Sequence, residues 1–310
     1  MVPPAEFRSY YGRPVLKPPV WEWKVPAYLF AGGLSAGSTM LAVGADLTGR
    51  PELRRAARLG AFSSLLASAY LLVADLGRPE RFHHMLRVAK PTSAMSMGSW
   101  TLVAYSPGVA LGAVAELLPA GLRRTWAGRV LTWAARPVAM TSAVAAPGVA
   151  SYTAVLLTQT AVPSWHDAHP FLPFVFTGSA AAAAGGLGMA FTPMREAAPA
   201  RRFALVGAAV ELAASRVLPS RMGLAGEAYT TGDAHRLRTR SELLTAAGIV
   251  GTALLARRSR LGAVASGLAL MAGSAYQRFA VFEAGVASTK DPRYVVVPQR
   301  ERLAQRDKDA

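Results

Sequence analysis

The 310-residue sequence is 52% hydrophobic and 17% charged, carries a formal net charge of +16, and contains no cysteine. It therefore forms no disulfide and offers no thiolate to an iron–sulfur cluster. Most of its arginines sit in short segments between apolar runs near membrane-spanning length, which points to lipid headgroups, not nucleic acid, as the neighbours of that charge.

In chain order, Met1 to Lys24 is polar and proline-rich (Pro3, Pro4, Pro14, Pro18, Pro19) and lacks the basic-then-apolar order of a cleaved signal peptide. Residues 1–24 are expected to form an extramembrane arm, 25–286 a membrane domain of about eight helices, and 287–310 a polar tail. The fold class is all-α and polytopic, a haem-free bundle. Spans are expected at Val25–Asp46, Leu59–Asp75, Ser99–Leu118, Val138–Val162, Phe171–Phe191, Phe203–Leu218, Leu243–Ala256 and Leu261–Val286. Small residues in the first (Gly32, Gly33, Ser35, Gly37, Ser38) permit close helix approach. Pro147 frees a carbonyl in the fourth and predicts a kink there.

An even number of spans puts both termini on one face. The opposite loops are short and dense in arginine (Arg50, Arg54, Arg55 and Arg58; Arg123, Arg124, Arg129 and Arg136; Arg195, Arg201 and Arg202; Arg257, Arg258 and Arg260). The positive-inside rule places them in the cytoplasm of a bacterial cell and the termini outside, although Arg78, Arg81, Arg87 and Lys90 argue the other way. The longer terminus-side segments suit a soluble partner.

The five histidines (His83, His84, His166, His169, His235) all fall in expected loops, which argues against bis-histidine haem ligation within the bilayer. No metal site is expected. Asp46 and Glu116 end their spans at the basic face, where pairing with arginines accounts for them. Glu211, Arg278 and Glu283 lie within spans and are candidates for a proton path. Glu211 alternatively pairs with Arg216, and Arg278 alternatively snorkels.

Asp75 closes the second span on the terminus side. Local pairing with Arg78 is one reading; a carboxylate at an apolar edge that exchanges protons is the other. Trp21, Glu22, Trp23 and Tyr28 enter the first span on the same face, and Tyr152, Thr158 and Gln159 lie in that half of the fourth. Together they outline an apolar pocket with a few polar contacts, suited to a lipophilic ligand with carbonyls.

Trp21-Glu22-Trp23 leading into Pro26-Ala27-Tyr28-Leu29-Phe30-Ala31-Gly32-Gly33, then Asp75-Leu76-Gly77-Arg78-Pro79-Glu80-Arg81-Phe82, Lys90-Pro91-Thr92-Ser93 and Met95-Ser96-Met97-Gly98-Ser99-Trp100, form a recognisable series. With Tyr152-Thr153, Pro163-Ser164-Trp165, Ala284-Gly285 and Asp291-Pro292, the series resembles the NrfD-type membrane subunits of polysulfide reductase and related molybdopterin oxidoreductases. The resemblance implies a quinone-binding anchor, joined to a four-cluster iron–sulfur subunit and a molybdopterin catalytic subunit. Electrons would then pass between the iron–sulfur partner and menaquinone or another quinone, with neither haem nor cluster in this chain. By the same likeness the quinone lies near the terminus-side ends of the first, second and fourth spans. Trp23, Tyr28, Tyr152 and Gln159 are the candidate binding residues and Asp75 the proton-exchange residue. Tyr152 matches the family's pocket tyrosine; Trp23 departs from the family's polar groups, since an indole donates a hydrogen bond but relays no proton.

Formate dehydrogenase-like and polysulfide- or thiosulfate-reductase-like complexes are both compatible, with the alanine- and arginine-rich character leaning slightly to the former. The competing readings are a transporter or channel lined by Glu211, Arg278 and Glu283, and a passive anchor that never touches quinone.

Overall fold

The computed structural model describes residues 14–309; Pro3, Pro4 and the first half of the expected arm lie outside the described residues. Eight long helices carry the fold: α1 (Lys24–Leu47), α2 (Pro51–Ala74), α3 (Ala94–Leu117), α5 (Trp126–Thr158), α7 (Leu172–Phe191), α8 (Ala198–Ser220), α9 (Gly232–Leu254) and α10 (Arg260–Lys290). Between and after them run α4 (Ala120–Arg124), α6 (Pro163–His166), α11 (Arg293–Asp309) and two 3-10 helices, Pro79–Leu86 and Gly223–Tyr229. No strand occurs among the described residues.

Local chemistry sets the boundaries. Pro51 opens α2 at N1, where its missing N–H costs nothing. Ser93, Thr125 and Ser259 cap α3, α5 and α10, each hydroxyl accepting from a backbone N–H three residues on. The last carbonyls of α7 are gathered by Arg260, whose Nη1 donates to Met189 O at 2.8 Å and Thr192 O at 2.7 Å and whose Nη2 donates to Ala190 O. A cation at a helix C-terminus is favourably placed.

Six helices, α1, α2, α3, α5, α7 and α8, are long and apolar enough to cross a membrane, so the chain is a multi-pass membrane protein. The other two long helices, α9 and α10, fall short of that apolarity. The helix that holds most of the expected seventh span, Leu243–Ala256, begins earlier, at Gly232, and ends at Leu254. Asp233, Arg236, Arg238 and Glu242 fill the first half of α9, and its ion pairs Arg236–Asp233 (3.2 Å) and Arg238–Glu242 (2.9 Å) join neighbours on a helical surface. His235 accordingly lies on a helix and not in a loop, as do His166 on α6 and His83 and His84 on the 3-10 helix Pro79–Leu86. The fourth span is likewise longer than expected, beginning at Trp126 and running unbroken through Pro137 and Pro147. The tail at 287–310 is largely helical, as the end of α10 and α11.

The helices form two groups. α1, α2, α3 and α5 pack together, as do α7, α8, α9 and α10, and α1 joins the groups by lying along α7. That contact uses the small residues of α1: a Cβ at Gly37 would stand 2.8 Å from Ala184 Cβ. At the basic face, Asp46 and Glu116 pair with arginines as their positions predict. Arg54 reaches Asp46 Oδ1 at 3.1 Å and Glu116 Oε1 at 2.7 Å, Arg58 reaches Glu116 at 3.0 Å, and Arg136 reaches Asp46 at 2.9 Å. Four helices of the first group are tied at one end by this network.

Candidate functional site

The opposite end of the first group opens into a cavity of about 110 Å3. Every element around it contributes its terminus-side end: Trp21, Val25, Tyr28 and Leu29 from the entry to α1; Leu72, Asp75 and Leu76 from the end of α2; Met95, Gly98, Ser99 and Leu102 from α3; Tyr152, Leu156 and Leu157 from α5. Met85 of the first 3-10 helix completes the lining. Helical spacing explains the set. Val25 with Tyr28 and Leu29, Leu72 with Asp75 and Leu76, and Tyr152 with Leu156 recur at three and four residues, one face per helix.

The lining is mostly hydrocarbon with three informative polar groups. Tyr28 is 5% exposed and lies within the electrostatic reach of both Tyr152 and Asp75. The Tyr152 ring packs over Gly98, where a Cβ would stand 2.6 Å from ring Cδ2. Asp75, just past the end of α2, is half-buried. Burial raises its carboxyl above the ordinary aspartate range, against the opposing pull of the Lys24 ammonium. The Glu22 backbone also favours the ionised carboxylate, and the Glu22 side chain opposes it with a like charge. Among the described residues no ion pair joins Asp75 to Arg78, so local pairing does not account for it. The site thus combines an apolar chamber, two phenols that donate or accept hydrogen bonds, and a carboxyl able to hold a proton at its edge.

Of the expected binding residues, Tyr28 and Tyr152 meet in this cavity beside Asp75. Trp23 and Gln159 do not reach it. Trp23 precedes α1 as its N-cap and is 61% exposed, while Gln159 is the exposed C-cap of α5. Trp21 takes the inner position, stacked on Trp165 with ring centroids 5.6 Å apart. Trp165 in turn donates from Nε1 to Val281 O at 2.7 Å and packs against Phe282 of α10. The sequence pattern does not single out most of the lining, including Leu72, Met85, Met95, Gly98, Ser99 and Leu156, although Met95, Gly98 and Ser99 stand within the Met95–Trp100 stretch quoted above.

The proton-path candidates lie in the second helix group. Glu211 is 1% exposed, and among the described residues neither carboxylate oxygen has a hydrogen-bond partner. Its expected pairing with Arg216 is not formed: Arg216 is exposed, five residues on and about 140° round the helix. Glu211 instead lies in the field of Arg278, with no direct ion pair within contact distance among the described residues. Snorkelling of Arg278 is also corrected. The residue is 1% exposed, donates from Nη2 to Phe176 O at 2.8 Å, and sits 3.7 Å from the centre of the Phe176 ring. Its Nε and Nη1 are unpartnered. Hydroxyls and an amide surround the pair of charges: Ser179 donates to Ser274 at 2.7 Å, and Gln277 donates to Ser215 at 3.3 Å. Glu283 is half-buried, five residues beyond Arg278 on α10, and forms no ion pair among the described residues.

No group of three or more potential metal ligands occurs among the described residues. His83 and His84 are exposed and contact each other edge to face, 4.5 Å between centroids.

A family model described as "Polysulphide reductase, NrfD" matches residues 15–203, which include every residue of the cavity lining and exclude Glu211, Arg278 and Glu283. Over 174 residues the sequence is 33% identical to a polysulfide reductase polypeptide of Wolinella succinogenes, covering 52% of this chain and 54% of that protein. Over 88 residues it is 34% identical to a selenate reductase polypeptide of Mesobacillus selenatarsenatis, covering 27% of this chain and 20% of that one. The matches thus span about half of the first relative and a fifth of the second.

Proposed function

Because this chain belongs to the NrfD family of polysulphide reductases, we propose that it is the quinone-reactive membrane anchor of a molybdopterin oxidoreductase. The observation that carries this reading is the cavity in which Tyr28, Tyr152 and Asp75 meet at the terminus-side ends of α1, α2 and α5. Its residues fit a quinone: hydrocarbon walls for the ring and tail, phenols for the carbonyl oxygens, and a carboxyl at the rim for protons.

A bound menaquinone-like quinone supplies a two-electron, two-proton couple. The chain's own share is positional and protonic. The Tyr152 hydroxyl is assigned as the hydrogen-bond donor to a quinone carbonyl, its ring seated against Gly98. Tyr28 lines the same cavity as Tyr152 and Asp75, so that a proton held on the Asp75 carboxyl has a phenol in the same chamber through which to pass inward. Trp21 and the apolar lining exclude water. With no cysteine in the sequence, electrons come from a partner: an iron–sulfur subunit of the four-cluster ferredoxin type, itself joined to a molybdopterin catalytic subunit. Those partners dock on the terminus-side face, where the cavity opens beneath the Pro79–Leu86 helix that carries Met85. The relatives named for polysulfide and selenate reduction favour a reductase of that kind over a formate dehydrogenase. The short arginine-rich loops support an orientation with the termini outside a bacterial cytoplasmic membrane. Glu211 and Arg278, buried and incompletely partnered, form the core of a proton path in the second helix group.

The test is affinity purification of the tagged chain from its native membrane, followed by quinol turnover with the partner's electron acceptor. Iron–sulfur and molybdenum subunits should co-purify, and a quinone-site inhibitor should abolish turnover. Turnover that such an inhibitor leaves untouched, in an intact complex, would leave a passive anchor.

A further inference from the structure

Trp165 is the largest fully buried side chain among the described residues, yet it does not itself line the cavity. It stands on α6, the short helix that follows α5, and α6 is fastened to α10. Trp165 Nε1 donates to Val281 O at 2.7 Å, and Ser164 N donates to Ser288 Oγ at 3.3 Å. Phe282 packs on the indole with ring centroids 5.9 Å apart. Val281, Gly285 and Ser288 recur at four and three residues, so one face of α10 carries the attachment. Gly285 makes room for it, since a Cβ there would overlap the indole.

What this attachment holds is Trp21. The two indoles stack at 5.6 Å with their planes 21° apart. Trp21 precedes α1, so no helix fixes its backbone, and its indole N–H makes no hydrogen bond among the described residues. It lines the cavity, and it also lines an open groove of about 380 Å3 between residues 16–20 of the arm and Thr160, Val162 and Thr289. Among the described residues Trp21 is the one side chain common to both linings. A single indole therefore separates the chamber from the groove, and its stacking on Trp165 keeps it there. The α3 side of the chamber, where Met95 is exposed, is left as the way in from lipid.

We propose that Trp165 is a positioning residue for the quinone chamber: clamped to α10, it holds the Trp21 indole as the wall that keeps the groove's water from the bound ring. A dry chamber strengthens the hydrogen bonds offered to the quinone carbonyls. The ligand rests on the quinone reading; the wall does not.

The chain has no cysteine, so Leu157→Cys, at a cavity position 1% exposed, supplies a unique thiol in the chamber. The full chain in lipid nanodiscs is treated with a charged, water-soluble methanethiosulfonate, and mass spectrometry follows the modification rate. Behind an intact wall the thiol reacts slowly, and Trp21→Ala, which removes the wall itself, sets the open rate. Trp165→Ala and Gly285→Ala each speed modification about tenfold, the upper range for one lost aromatic contact. Trp165→Phe, which still backs Trp21 with a ring, restores most of the protection. Gly273→Ala crowds Thr245 on the same helix, away from the stack, and leaves the rate unchanged. In the assembled complex without the added cysteine, Trp165→Ala raises KM for quinol about fivefold at nearly constant kcat, the mark of lost binding and not of lost chemistry. A thiol that stays slow in both Trp165→Ala and Gly285→Ala overturns the proposal, as does equal acceleration by Gly273→Ala. Acceleration with an unchanged KM keeps the wall and removes quinone from the chamber.

Discussion

The ring of Tyr152 occupies the space that a side chain at position 98 would need, with Cδ2 only 2.6 Å from where a Gly98 Cβ would stand. Two helices, α3 and α5, therefore set the floor of the cavity through a single close approach. Gly98→Ala should displace the phenol while leaving helix packing elsewhere intact. Quinone turnover should fall by about tenfold, the scale of one misplaced hydrogen bond. Gly121→Ala, with nothing within 4 Å, should change nothing. Steady-state kinetics of the two variants in the assembled complex checks the pair.

Removing the hydroxyl without moving the ring separates position from chemistry. Tyr152→Phe should weaken quinone binding by roughly 1 kcal/mol, about fivefold in KM or Kd. Tyr28→Phe should lower kcat more than it raises KM, because this phenol shares the cavity with Asp75 and is the one assigned to proton transfer. Equal effects on both parameters in both variants would remove the division of roles.

The Asp75 carboxyl is raised by burial and pulled down by Lys24, so it keeps its proton to a higher pH than an ordinary aspartate, though less high than burial alone would set. Lys24→Gln deletes the opposing charge, and the limb of the pH–rate profile that Asp75 controls should move to higher pH. Asp75→Asn should erase that limb and slow turnover by one to two orders of magnitude, about the range for a lost general acid–base group. A profile unchanged in shape by both substitutions would assign proton exchange to another residue.

Much of the architecture was legible in the sequence because lipid imposes strong rules. The six apolar helices, the small residues of α1 against α7, and the arginine partners of Asp46 and Glu116 all follow from hydropathy, residue size and charge placement. What escaped was rotation and charge masking. Trp21 and Trp23 are two residues apart at the start of α1, and only the docked position of Trp165 decides which indole turns inward. Arg278 reads as a snorkelling residue until Phe176 and its carbonyl are placed beside it. The first half of α9 hides under Asp233, Arg236, Arg238 and Glu242, whose charges mask a helix from a hydropathy scale.

The basic-face network should carry stability and not turnover. Glu116 is 8% exposed and accepts from Arg54 and Arg58 together. Glu116→Gln leaves Arg58 without an acidic partner and Arg54 with Asp46 alone, and should cost on the order of 3 kcal/mol. Glu116→Leu combined with Arg58→Leu should recover part of that loss, since a matched apolar pair removes the orphaned charge. Thermal unfolding in detergent, followed by far-UV circular dichroism, measures both.

The central claim, that the cavity between Tyr28, Tyr152 and Asp75 holds quinone, is tested most directly by photoaffinity labelling. The intact complex is illuminated with an azido-naphthoquinone and the labelled peptides are mapped by mass spectrometry. Label should appear on the segments of α1 around Tyr28 and of α5 around Tyr152, and excess menaquinone should suppress it. Label confined to α7–α10, or label at the cavity that menaquinone fails to displace, would contradict the assignment.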